Sequence, residues 1–514
     1  MSGREGTKKP DVEVAIVGTG FSGLCMAIQL RKAGRPSFVV LEKDSGVGGT
    51  WRANHYPGCA CDVQSHLYSY SFEPNPHWSR MFAPQGEIRA YLERCADKYG
   101  ILPHIRFNSE VTTARFDERD GFWHVEVNGG ERLTAQHLVL GVGALSRPAV
   151  PAIEGLERFR GHTFHSAEWD HDHDLTGKTV GVIGTGASAI QFVPQVAGQT
   201  RNLHLFQRTP PWVLPKPDRP VTRFERWLFS VAPFVQRLFR AWIYWLMEAR
   251  GFGFTVGPWV MKVAAWMGRR HIRRQVRDPA LRRVVTPTYT PGCKRILMAD
   301  DYYPALERPN VEVVTDGISH ITERGVVTAD GTERPVDTLI FGTGFRVGEY
   351  LAPMRVVGRG GVEINQAWRQ GAEAYLGTVV SGFPNLYLLM GPNTGLGHNS
   401  MVFMIEAQVD YVMRTLRLLD RRGARLADVR SRAQREFNER LQPRLARSVW
   451  ASGCQSWYLD DHGKNSTLWP GFTFEYWLRT RRIRLQDYDL DPAPANAPAG
   501  APERLPQPPS SRAA

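Results

Sequence analysis

The first apolar run of the chain, Val12–Val17 (VEVAIV), is short, β-branched and nearly unbroken, which predicts a buried strand. It drops directly into Gly18-Thr-Gly20-Phe-Ser-Gly23, and the stretch from Leu24 to Arg31 follows with helical character and few breakers. Ser37–Leu41 is the next predicted strand, ending at Glu42, so the segment reads as one βαβ unit. The pattern returns at Thr179–Ile183, runs through Gly184-Thr-Gly186-Ala-Ser-Ala189 and comes back on the strand Asn202–Phe206. A further strand, Thr338–Phe341, ends in Gly342-Thr-Gly344-Phe345. Two nucleotide-type units, the first resumed after the second, predict an α/β chain of two Rossmann-like dinucleotide-binding domains, one inserted into the other. The seams are expected near residues 150 and 335. Residues 11–150 and 336–490 form the first domain with a C-terminal cap, and 151–335 form the second. Residues 1–10 read as a flexible lead-in, and the Pro- and Ala-rich tail, 491–514, as disordered.

The stretch 222–285 breaks the pattern. Bulky apolar residues (Trp227, Phe234, Trp242, Trp245, Trp266) precede an arginine run through Arg269, Arg270, Arg273, Arg274 and Arg277. Its uncharged runs fall well short of the ~18 residues a spanning helix needs, so a helical insertion is expected and a bilayer crossing is not. Pro233 and the Gly251–Gly253 pair are expected to divide it into short helices. Two uses fit this composition: packing on the second domain, or peripheral contact with an anionic membrane.

The charged share, 22%, and hydrophobic share, 42%, are those of an ordinary globular chain. The formal net charge of +13 favours an anionic partner without choosing among dinucleotide, membrane surface and nucleic acid. No nucleic-acid module is recognisable, so nucleic acid is not expected. The six cysteines form neither a CxxC nor a CxxxxC pair, and no His or Cys stands at ligand spacing from Cys59 and Cys61. Reduced thiols, a cytoplasmic location and no metal are the expectation. The polar N-terminus has no apolar segment of the kind that directs secretion.

A GxGxxG turn between strand and helix is where a dinucleotide pyrophosphate sits. Gly18 allows the tight turn, Gly20 lets the backbone approach the phosphates, and Gly23 lets the helix pack on the strand. Glu42 stands nineteen residues past Gly23, where a carboxylate accepts from a ribose diol. The second turn is GxGxxA, built on Gly184, Gly186 and Ser188, and Gln207-Arg208-Thr209 stands where an acid would end its second strand. A carboxylate there would repel a 2′-phosphate, whereas a guanidinium pairs with it. The first site therefore reads as FAD and the second as NADP.

Two longer motifs narrow the class. Gly49, Trp51, Tyr56-Pro57-Gly58 and Asp62 form one; Phe159, Gly161, His165, Trp169 and Asp170 form the other. Together they resemble the two fingerprints of the type I Baeyer–Villiger monooxygenases, GxWxxxx(F/Y)P(G/M)xxxD and FxGxxxHxxxW(P/D), at every fixed position. The related N- and S-oxidising flavin monooxygenases usually lack a Trp at the place of Trp169. The resemblance spans roughly residues 10–490 and is loose in 222–285.

The resemblance implies roles. Gly49, Thr50, Trp51, Asp62 and Tyr68 join the FAD side, and Gly342–Phe345 resembles a second FAD-contacting turn. Lys294 joins Arg208 and Thr209 at the NADP 2′-phosphate, and Trp457 contacts the nicotinamide cofactor when the site closes. Arg295 lies beside the flavin as the catalytic cation and Asp62 orients it, while His165 resembles a hinge between domains more than an acid or base. The implied reaction uses NADPH and O2 to insert oxygen beside a ketone carbonyl through a C4a-peroxyflavin, giving an ester or lactone. Of three rivals, an S- or N-oxygenating flavin monooxygenase is the alternative that stays open. A pyridine nucleotide–disulfide reductase needs a cysteine pair that is missing here, and the retention of Arg208, Lys294, Arg295 and Asp62 argues against a non-enzymatic flavoprotein.

Overall fold

A computed structural model describes residues 9–349, 351–454, 456–460 and 463–492. The predicted lead-in 1–10 and tail 491–514 lie largely outside these residues. Asp491 and Pro492, expected in the tail, finish the strand Tyr488–Pro492, which pairs antiparallel with Ala424–Val429.

Two sheets carry the fold, the first mixed and the second parallel throughout. In the first, Val12–Val17 lies between Phe38–Leu41 and the long strand Glu131–Leu140, with Ile16 level with Val40 and Val139. A strand hydrogen-bonded on both sides is apolar where both faces are covered, and Val14, Ala15 and Ile16 are almost wholly buried. The long strand divides its partners. Residues 131–135 pair antiparallel with Phe122–Val127, and Leu138–Leu140 pair with Leu386–Leu388. The last of these strands comes from far down the chain, so the first domain is resumed after the second.

The second sheet is all parallel, in the order Val311–Val314, Asn202–Phe206, Thr179–Ile183, Thr338–Phe341, His162–His165. Thr338–Phe341 thus lies past the expected seam near 335, yet hydrogen bonding assigns it to the second sheet between Thr179–Ile183 and His162–His165. The chain leaves that sheet at Gly342–Phe345. There Ala149 N donates to Gly344 O, Thr343 Oγ1 donates to Ala149 O, and Pro148 bridges to Phe345. The outgoing and returning connections therefore run side by side.

The insertion is helical, as expected, but is not cut up as expected. Pro233 does separate Arg223–Val231 from the next helix, which then runs unbroken from Pro233 to Thr255. Gly251 and Gly253 lie inside it. A Cβ on Gly251 would stand 2.7 Å from the His398 ring, so this glycine serves close packing and not a break. No helix among the described residues is long and apolar enough to cross a membrane.

Candidate active site

Both glycine turns are built the same way. Gly18 (φ +97°) and Gly184 (φ +108°) each take a left-handed conformation in which a side chain would strike the next crossover strand's exit, at Gly141 O (2.7 Å) and Gly342 O (2.5 Å). The first helix starts at Phe21, earlier than the expected Leu24, so Gly23 lies in its first turn, where a Cβ would overlap Gly18 O at 1.9 Å. In front of the first turn, Gly49 folds back onto Gly20, and a Cβ on Gly49 would stand 2.9 Å from the Gly20 Cα. The GxGxxG loop and the first fingerprint thus face each other across a strip of bare backbone, a cradle a dinucleotide fits and side chains would fill.

At the end of the second strand Glu42 is buried, with Oε2 accepting from Thr19 N (2.7 Å) and Thr19 Oγ1 (2.6 Å) and Oε1 from Asp44 N (3.0 Å). Its carboxylate still borders the cleft and keeps lone pairs for a ligand diol. Trp51 Nε1 donates to Tyr68 OH at 3.1 Å, the two rings meeting edge to face.

The first fingerprint holds the domains against each other. Tyr56 OH donates to Gln191 Oε1 at 3.1 Å, and Gln191 Nε2 donates to Ala60 O at 3.0 Å. Gly58 (φ +80°) runs so close to the second domain's helix Ala189–Val196 that a Cβ would stand 2.6 Å from Gln191 O. Trp169 of the second fingerprint and Tyr56 of the first both pack on Phe192, with ring centroids 5.2 and 6.0 Å away. His165 is buried, burial pushing its imidazole down, with Nδ1 accepting from Ala167 N and its ring against Phe345. That is a position at the crossover, directly behind the cleft-lining Ala167 and Phe345.

A single cleft of about 1620 Å³ runs between the two sheets, and every predicted site residue except Gly23 borders it. Arg208 and Thr209 follow Asn202–Phe206, and Thr185 Oγ1 in the second turn donates to Thr209 O at 3.2 Å. Ser188 sits at the start of the following helix. Lys294 reaches the same corner: burial and the charge of Arg208 push its amine below the ordinary lysine value, and its Nζ lies 5.3 Å from the Tyr289 ring centre. Among the described residues neither cation has a carboxylate partner, so both keep their charge free for an anion.

Arg295 and Asp62 meet where the two units face each other. Arg295 Nε donates to Asp62 Oδ2 at 3.1 Å, and Nη2 donates to the same oxygen. Burial alone would raise the Asp62 carboxyl. The charge and hydrogen bonds of Arg295, with Lys216 in support, outweigh it and hold the acid below the ordinary carboxylate range. Asp62 in turn holds Arg295 firmly protonated. About a third of each side chain (33% for Asp62, 38% for Arg295) faces the cleft.

Two features here were not foreseen. Tyr458 is buried beside the pair, and burial pushes its phenol up to about 12 although Arg295 pulls it down. And Cys293 forms a disulfide with Cys454, while Cys25, Cys59, Cys61 and Cys95 are free and buried. This corrects the expectation of six reduced thiols: the partners stand 161 residues apart, where no local spacing could announce them. The bridge ties the Lys294–Arg295 segment to the one carrying Trp457, whose indole is 46% exposed at the cleft and packs on Tyr458.

Known proteins share this architecture. The profile of flavin-binding monooxygenase-like proteins matches residues 11–351. A Baeyer–Villiger monooxygenase of Pseudomonas aeruginosa is 53% identical, over 94% of this chain and 92% of that one. One of Streptomyces coelicolor is 48% identical, over 96% and 95%. Among solved structures, an oxidised steroid monooxygenase bound to NADP superposes with a TM-score of 0.85 at 32% identity, covering 94% of this chain and all of that one. A closed cyclohexanone monooxygenase does so with a TM-score of 0.85 at 28% identity, over 95% of this chain and all of that one. The chain belongs to the flavin-binding monooxygenase-like family. Within that family it is a Baeyer–Villiger monooxygenase, an enzyme of FAD and NADPH.

Proposed function

We propose that Arg295 and Asp62 act as one unit on the oxygen transferred to a ketone, so that the product is an ester or lactone. The observation that carries this reading is the Arg295–Asp62 pair itself, ionised, held side-on and open to the cleft between two dinucleotide turns. Negative charge must develop on oxygen as a carbonyl is attacked, and a fixed guanidinium stabilises it most in that state. Asp62 keeps the guanidinium charged and oriented before substrate arrives. FAD, held by the cradle of Gly18, Gly20 and Gly49 with Glu42 at its ribose, supplies the redox chemistry and the activation of O2. Arg208 and Lys294 take the 2′-phosphate that distinguishes NADPH from NADH. Trp457, exposed at the cleft edge, would lie against the nicotinamide cofactor and limit the entry of water.

A guanidinium that stabilises anionic oxygen favours attack on a carbonyl over transfer to a sulfide or amine. Purified FAD-loaded protein should therefore show ketone-stimulated NADPH oxidation with ester or lactone as product. Sulfoxides or N-oxides from a mixed panel, with no ester from any ketone, would overturn the reading.

A further inference from the structure

The long helix of the insertion, Pro233–Thr255, is apolar on both faces. Its inward face buries Ile243, Met247 and Phe254 and also anchors polar groups: Gln236 Nε2 donates to Asn75 O (2.7 Å), Arg240 Nη1 donates to His66 O (2.8 Å), and buried Glu248 accepts from Thr473 N (3.1 Å). Its outward face carries Phe234, Leu238, Trp242 and Trp245, at helical spacing and each 58–65% exposed. A helix whose outer face met only water would carry polar residues there. The apolar strip continues on both sides. Phe239 stacks between Trp242 and Phe229 of the preceding helix, where Phe224 and Trp227 are exposed. Trp245 meets Phe474 of the helix Thr473–Thr480, where Leu478 is 55% exposed. The Met261–Gln275 segment adds an exposed Trp266. A connected strip of this kind exceeds the scattered apolar residues of an ordinary surface.

The charge of the same segment chooses its partner. Residues 222–285 hold thirteen arginines and lysines against three carboxylates, a surplus of ten in a chain whose total is +13. The three acids are already engaged. Glu225 is bridged to Arg219, Glu248 is buried, and Asp278 accepts from Ala280 N and Leu281 N. Among the described residues Arg226, Arg237 and Arg274 have no carboxylate partner. A second copy docked face to face would set this surplus against itself. Nucleic acid would leave Leu238, Val231 and Leu478 without an apolar environment.

We propose that residues 222–285, with the helix Thr473–Thr480, form a platform that seats this enzyme on the surface of an anionic phospholipid bilayer. The aromatic strip enters the boundary between headgroups and acyl chains, and the arginines pair with headgroup phosphates without the chain crossing the membrane.

The test uses the full FAD-loaded protein with phosphatidylcholine vesicles, with and without phosphatidylglycerol. The protein should sediment with the phosphatidylglycerol vesicles at low salt and be largely released at high salt. The triple variant Leu238→Ser/Trp242→Ser/Trp245→Ser should bind roughly tenfold or more weakly while keeping its FAD and its turnover of a water-soluble ketone. Should that variant fail to fold, quenching of wild-type tryptophan fluorescence by bromine-labelled acyl chains gives the same answer, since buried indoles would not be reached. Wild-type protein left in the supernatant at low salt would overturn the proposal. So would a lipid-free dimer that the triple substitution dissociates, or duplex DNA binding that it abolishes.

Discussion

Two donors of Arg295, Nε at 3.1 Å and Nη2, converge on the single oxygen Oδ2 of Asp62. Among the described residues Nη1 has no protein partner, so the guanidinium is fixed along one edge with donor capacity left at its tip. In Asp62→Ala the charge would remain and the fixation would go. Oxygenation of ketone should fall by about an order of magnitude, short of the ~10²–10³-fold typical of removing a donor to the reacting oxygen. With the pair acting on the transferred oxygen and not on hydride delivery, the anaerobic flavin reduction rate of Asp62→Ala should stay near wild type. A reduction rate that falls in step with ester formation would place Asp62 elsewhere in the cycle.

The pairing of Arg208 with Lys294 predicts cofactor preference. Arg208→Ala should lose about 1–3 kcal/mol of discrimination for NADPH over NADH, as read in kcat/KM, because it removes a hydrogen bond to a charged group. Lys294→Ala should act in the same direction. Wild-type enzyme using NADH and NADPH equally would contradict the assignment of this corner.

Gly58 has no room for a side chain against Gln191 O, and its φ of +80° is strained for any other residue. Gly58→Ala should therefore loosen the contact between the first fingerprint and the helix Ala189–Val196. FAD should stay bound while the KM for NADPH rises several-fold. An unchanged KM would show that the fingerprint does not govern the seating of the second domain.

His66 lies under the insertion with Nδ1 3.1 Å from Gln236 Nε2, and burial, aided by the charges of Arg240 and Arg219 against that of Glu225, pushes its imidazole down to about 4. A group whose folded pKa lies below its unfolded value of ~6.5 takes its proton first in the unfolded chain. Its contribution to stability is complete above about pH 6.5 and is lost as the pH falls towards 4, to the extent of about 3 kcal/mol. Urea midpoints measured across that range should drop for the wild type and drop less for His66→Gln. His137, pushed down to about 3 by burial, supplies a slope common to both proteins.

The Cys293–Cys454 bridge predicts a thiol count. Titration of the denatured protein should find four thiols without reductant and six after reduction. Six without reductant would mean that the Lys294–Arg295 and Trp457 segments are not joined.

The sequence declares what is local. Strands such as Val12–Val17 and Thr179–Ile183 are apolar along their buried stretches because both their faces are covered there, and the glycines of the two turns stand where bare backbone is required. The fingerprints were legible as motifs, but their mechanical task was not, because Phe192 and Gln191, the residues they grip, belong to an unremarked helix. The sheet that claims Thr338–Phe341 is fixed by pairing with Thr179–Ile183, and the bridge spans 161 residues, both beyond any local pattern. In the insertion Gly251 resembled a break because its reason, the ring of His398, lies far along the chain. Tyr458 carries no signal apart from its neighbour Trp457, and only folding sets it beside Arg295.

Arg295 carries the oxygen-transfer chemistry, and one measurement tests it most directly: ester yield per NADPH consumed by Arg295→Ala, with FAD content determined on the same sample. FAD should remain bound and ester should fall by at least ~10²-fold, since the guanidinium acts on charge that develops only as oxygen is transferred. Near wild-type ester yield from the FAD-loaded variant would contradict the assignment of Arg295 and, with it, the mechanism.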